Sequence, residues 1–64
     1  MTQQERTNAA LAVMNLPKET QVLLSIVNHK QQSITEDILS PMDAYVKLLL
    51  LNPIQEMDVE ISVG

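Results

Sequence analysis

Lys18-Glu19-Thr20-Gln21-Val22-Leu23-Leu24-Ser25-Ile26-Val27-Asn28-His29-Lys30-Gln31 places five aliphatic residues in the six positions from Val22 to Val27, directly after Pro17. A proline suits the first turn of a helix, because its missing N–H would be unpaired there and its φ is already helical. The segment from Lys18 to about Gln31 is therefore predicted as a helix. At 100° per residue, Val22, Leu23, Leu24, Ile26 and Val27 cover about 200° of its surface. That is wider than docking on one neighbour requires, so this helix is expected at the centre of the fold. Lys18, Gln21, Ser25, Asn28 and His29 take the watered arc.

Upstream, Thr2 followed three residues later by Glu5 has the form of a capping box and opens a helix running to about Asn15. Ala10, Leu11, Val13 and Met14 form its apolar side. Downstream, Ser33-Ile34-Thr35-Glu36 repeats the capping-box form and predicts a short helix that turns Ile38 and Leu39 inward and ends at Ser40-Pro41. Ser40 then caps a further helix with Pro41 at its first position. Asp43 sits near the positive end of its dipole, and Pro53 stops it after Asn52. Within it Met42, Tyr45, Val46 and Leu49 share a face, whereas Leu48, Leu50 and Leu51 project elsewhere. A helix apolar nearly all round is buried nearly all round, and a chain this size has little mass to cover it alone.

After Pro53 the period changes. Met57, Val59, Ile61 and Val63 alternate with Asp58, Glu60 and Ser62, the two-residue repeat of a strand with one wet face. No second strand is evident, and an isolated one leaves its backbone groups unpaired, so its partner is expected from another chain. The fold class expected is mainly α: a three- or four-helix domain over residues 1–64, in helix-turn-helix-like order, with a C-terminal strand.

Composition bounds the function. A chain of 64 residues buries only about 60% of the surface its unfolded form exposes. It has no cysteine for a disulfide, and His29 is its only histidine, so oligomerisation is the supplement left to it. Apolar residues make up 45%, yet Tyr45 is the only aromatic, so the core is aliphatic. A formal charge of −4 disfavours nucleic acid and anionic membranes as partners. The polar start, Met1 to Arg6, does not read as a signal peptide, and no apolar run reaches bilayer-spanning length, so a cytoplasmic protein is expected.

No catalytic, cofactor or metal site is expected. His29 would carry any general-base or ligand role, but as a last-turn helix residue it suits the negative end of the dipole instead. With Gly64 the only glycine there is no phosphate-cradling loop. Glu36 and Asp37 read as helix-start acids, and Glu56, Asp58 and Glu60 as a solvated strand face; together they make an acidic surface suited to a basic partner. Leu48, Leu50 and Leu51, with Met57, Val59, Ile61 and Val63, are the expected interface to a second copy or another protein. The function expected is that of a small acidic, non-enzymatic regulatory or adaptor protein that binds proteins as a homodimer. Two alternatives stand beside it. One is a winged helix-turn-helix-like regulator, although Met42, Asp43, Ala44 and Lys47 are poor chemistry for a DNA groove. The other is a small subunit that completes a larger enzyme.

Overall fold

Val22, Ile26 and Val27 are β-branched, and such side chains pack well on a pleated surface while losing rotamer freedom in a helix. In the computed structural model, which describes residues 1–64, this stretch is a strand, β1 (Val22–Asn28), in the middle of an antiparallel sheet. The full order is α1 (Gln3–Met14), β1, β2 (Ser33–Leu39), α2 (Pro41–Leu50), a single 3₁₀ turn (Ile54–Glu56) and β3 (Met57–Val63). The sheet order is β2-β1-β3 with both pairs antiparallel. The chain is thus an α+β domain of two helices and three strands, which overturns the mainly α, all-helical reading with three or four helices.

The physical reason lies in the two faces of β1. Successive side chains of a strand point to opposite sides. Val22, Leu24 and Ile26 point under the helices and are buried, while Leu23, Ser25 and Val27 point to the other face and are half-buried. Because aliphatic residues serve both faces, the run shows no alternation, and it mimics a helix with a broad apolar arc. The segment with the form of a second capping box is β2. Its Ile34, Glu36 and Ile38 point to the open face, and Ser33, Thr35, Asp37 and Leu39 to the helix side. Ser33 therefore caps nothing, and no helix-turn-helix order exists in the chain.

β1 and β2 are joined by a tight turn over residues 29–32 that contains no glycine. Asn28 Oδ1 accepts a hydrogen bond from the Gln31 amide at 3.0 Å, an Asx turn that starts the reversal, and Gln32 completes it with a φ of 52°. β3 is where the alternation places it, but its partner is β1 of the same chain, in the register Leu24 to Ile61 and Ile26 to Val59. The expectation of a strand without an internal partner is overturned. Flanking bonds from the His29 amide to the Glu56 carbonyl and from the Gly64 amide to the Gln21 carbonyl extend the ladder at both ends.

Both long helices start where local chemistry puts them. Thr2 and Glu5 form the reciprocal capping box of α1, and the Ser40 hydroxyl accepts from the Asp43 amide at the head of α2, with Pro41 next in line. α2 ends at Leu50, since Leu51 is already extended. The helices run antiparallel. Arg6, early in α1, donates to the Leu51 carbonyl at 2.5 Å and the Leu49 carbonyl at 3.5 Å, bringing a cation to the carbonyl end of α2.

The core lies between the helices and one face of the sheet. Ala10, Val13, Val22, Leu24, Ile26, Ala44, Leu48 and Met57 form one buried cluster, with Ile54 also buried. On α2 the inward residues are Pro41, Ala44 and Leu48, flanked by half-buried Tyr45. The Met42, Val46 and Leu49 side faces outward at 60%, 45% and 47% exposure. Leu48 and Ala44 are buried in one cluster with Ala10 of α1 and Val22, Leu24 and Ile26 of β1.

Candidate protein-interaction surface

The helices cover one face of the sheet only, and the other face stands open. Strand register lays its side chains in three rows: Leu23, Ile38 and Ser62; then Ser25, Glu36 and Glu60; then Val27, Ile34 and Asp58. On β1 and β2 this makes an aliphatic strip of Leu23, Val27, Ile34 and Ile38, with Ile34 and Ile38 70% and 69% exposed. A shallow hollow of about 240 Å³ opens at the Leu23 and Ile38 end, bordered by Gln21 and Ser62. Glu36 and Glu60 flank Ser25 across the three strands, and neither has a cation within ion-pair distance.

The other three residues of the expected acidic surface, Asp37, Glu56 and Asp58, each have a partner. Asp37 lies on the helix side of β2 and is paired with Lys47 of α2, tying the edge strand to the helix. Glu56 lies 3.8 Å from Lys30 across the ladder end. Asp58 is on the open face, where its carboxylate takes His29 Nε2 at 2.6 Å and the Met1 ammonium at 3.5 Å, while that ammonium donates to the Met57 carbonyl at 2.6 Å. The hydrogen bond from His29 holds the Asp58 carboxyl below its ordinary value, although burial opposes the shift. His29 is in the hairpin turn rather than in a last helical turn, and its partner is this carboxylate instead of a helix dipole.

The leucines and strand residues expected at an interface are distributed over three environments. Leu48 is fully buried in the chain's own core, Leu51 is half-buried, and Leu50 is 75% exposed at the end of α2. On β3, Met57, Val59 and Ile61 point under the helices and Val63 is exposed at the strand's end. The β3 residues that reach the open face are the polar ones between them. Missing from the expectation were Leu23, Val27, Ile34 and Ile38, assigned to helices; the β-branched residues Val22, Ile26, Val27, Ile34, Thr35 and Ile38 are the signal that could have found the two strands.

A second groove, of about 440 Å³, separates the end of α1 from the start of α2 and is lined by Met14, Leu16, Lys18, Ser40, Pro41 and Met42. Its lining holds no acid, histidine or cysteine, and nowhere in the chain do three His, Cys, Asp or Glu side chains gather as metal ligands would. No helix is long and apolar enough to cross a membrane. No protein-family model, no curated protein and no solved structure matches the chain.

Proposed function

We propose that this protein is a small non-enzymatic adaptor or regulator that binds a polypeptide partner on the open face of its sheet, and that the partner presents basic and aliphatic side chains. The observation that carries the reading is the composition of that face: four aliphatic residues beside two carboxylates that nothing in the chain neutralises. Exposed apolar area favours contact, and charge complementarity selects which contact is made. A basic partner pairs with Glu36 and Glu60 while covering Leu23, Val27, Ile34 and Ile38. A nucleic acid backbone is repelled by the same carboxylates, and the helix-turn-helix geometry that would have favoured it is absent.

Selection of a random peptide display library on the immobilised chain tests this. Enriched sequences should combine Lys or Arg with Leu, Ile or Val, and should lose binding to a Glu36→Lys, Glu60→Lys double variant. Enrichment of acidic peptides, or equal binding to the double variant, would contradict the reading.

A further inference from the structure

β2 and β3 are the outer strands of the sheet, and the ladder bonds show which of their residues own the free backbone edge. The His29 amide bonds to the Glu56 carbonyl and the Gly64 amide to the Gln21 carbonyl, so Leu23, Ser25 and Val27 of β1 are the residues hydrogen-bonded to β3, through Ser62, Glu60 and Asp58. In an antiparallel ladder, bonded and non-bonded pairs alternate. Val22, Leu24, Ile26 and Asn28 therefore bond to β2, through Leu39, Asp37, Thr35 and Ser33. This leaves the N–H and C=O groups of Ile34, Glu36 and Ile38 pointing away from the sheet, and no backbone bond outside the ladder reaches them. The same three residues put their side chains on the open face, and all three are exposed. On β3 the two properties fall on different residues. Met57, Val59, Ile61 and Val63 have the outward backbone groups, whereas Asp58, Glu60 and Ser62 have the open-face side chains, and the Met57 carbonyl is occupied by the Met1 ammonium at 2.6 Å.

We infer that the partner enters as an extended strand paired antiparallel with the outer edge of β2, carrying Lys or Arg opposite Glu36 and aliphatic residues opposite Ile34 and Ile38. This rests on the open face being the binding surface and specifies how a partner reaches it. The occupant follows from the chemistry of the edge: donor and acceptor groups repeated every second residue are matched by an extended polypeptide backbone. Side chains opposite one another in a ladder share a face, so such a strand lays every second side chain on the open face, beside Glu36 and the two isoleucines. β2 has none of the usual obstacles to pairing. Its seven residues match β1 one to one without a bulge, and it contains neither Pro nor Lys. A second copy is a poor occupant, because antiparallel self-pairing centred on Glu36 sets two carboxylates opposite each other. β2 holds no cation, so no other self-pairing register neutralises them; Asp37, its other acid, is on the helix side with Lys47. The sequence recognised is thus aliphatic, any residue, basic, any residue, aliphatic.

The test titrates the isotopically labelled full chain with three synthetic peptides and follows amide hydrogen exchange. The first is Thr-Val-Thr-Lys-Thr-Val-Thr. The second is N-methylated on its valines and lysine, whose amides face β2 in the pairing described, and the third on its two inner threonines, whose amides face away. The first and third should bind alike and slow exchange at Ile34, Glu36 and Ile38. The second has the same side chains but lacks the three donors, and should bind about tenfold or more weakly. Glu36→Lys should release the first peptide and bind instead the one with glutamate in place of lysine. Equal binding of all three peptides would overturn strand addition while leaving the open face as a binding surface. Slowed exchange at Val59 and Ile61 in place of the β2 amides would overturn it by moving the partner to β3. Slow exchange at Ile34, Glu36 and Ile38 in the free chain, lost on dilution, would overturn it by giving the edge to a second copy. Failure of every peptide to bind at millimolar concentration would also overturn it, and the display selection, which is not restricted to this pattern, judges the adaptor reading separately.

Discussion

Individual residues show the chain satisfying its local needs with little to spare. Gln32 adopts a φ of 52° at the end of the β1–β2 turn, a left-handed conformation that costs a residue with a Cβ roughly 1–2 kcal/mol. Gln32→Gly relieves this and adds back part of it as unfolded-chain entropy, about 0.5–1 kcal/mol. The net gain expected is about 0.5–1 kcal/mol, read as a rise in Tm of a few degrees in a thermal melt. Asp58 and Glu5 both have carboxyls held below their ordinary values, Asp58 by its hydrogen bond with His29 and Glu5 by the backbone and hydroxyl of Thr2. A carboxyl more acidic in the folded than in the unfolded state stabilises the fold above its unfolded value, near 4, and the contribution is lost as pH falls through the lower folded value. Asp58→Asn should therefore be less stable than wild type in denaturant titrations at neutral pH. The difference should shrink as pH falls below about 4 and vanish in stronger acid; a difference independent of pH would show that the Asp58 carboxylate is not its source.

At the scale of elements, Leu48 joins both layers. It is fully buried in the cluster that links α1, α2 and β1. Truncation to alanine in such a site costs about 2–5 kcal/mol, against a total stability of about 3–10 kcal/mol for a chain of 64 residues. Leu48→Ala should leave the protein largely unfolded or molten at physiological temperature, whereas Leu50→Ala, at an exposed position, should melt near the wild type. Near-ultraviolet circular dichroism from Tyr45, the only aromatic residue, reads both.

The same elements show what could be read from the chain. The starts of α1 and α2 were legible because Thr2 with Glu5, and Ser40 with Pro41, act through neighbours in sequence. β3 was legible because one of its faces is polar and the other apolar. β1 was not: its open face is built from Leu23 and Val27, which erased the alternation. β2 was hidden by Ser33 and Glu36, whose spacing copies a cap, and the turn between them was hidden because Asn28 and Gln32 do what glycine usually does. The acidic half of the candidate surface was partly visible in Glu36 and Glu60, but its aliphatic half required knowing that β1 and β2 are strands. On α2, the stripe of Met42, Val46 and Leu49 was legible as apolar. Which stripe faces inward depends on Pro41 and Ala44 meeting α1 and β1, a tertiary fact.

As a whole molecule the protein is a two-layer plate with unlike sides, one formed by the helices, the other a sheet face bearing aliphatic side chains and carboxylates. One small core with exposed apolar side chains on both outer sides fits the proposal that the protein binds a polypeptide partner. Nuclear magnetic resonance of the isotopically labelled chain, titrated with an amphipathic peptide of alternating-face leucine and lysine, tests this most directly. Amide shifts should move at Leu23, Ser25, Val27, Ile34, Glu36, Ile38 and Glu60, and diminish with added salt. Shifts confined to α1 and α2, or none at peptide concentrations that saturate other acidic apolar surfaces, would contradict the assignment of the sheet face as the binding surface.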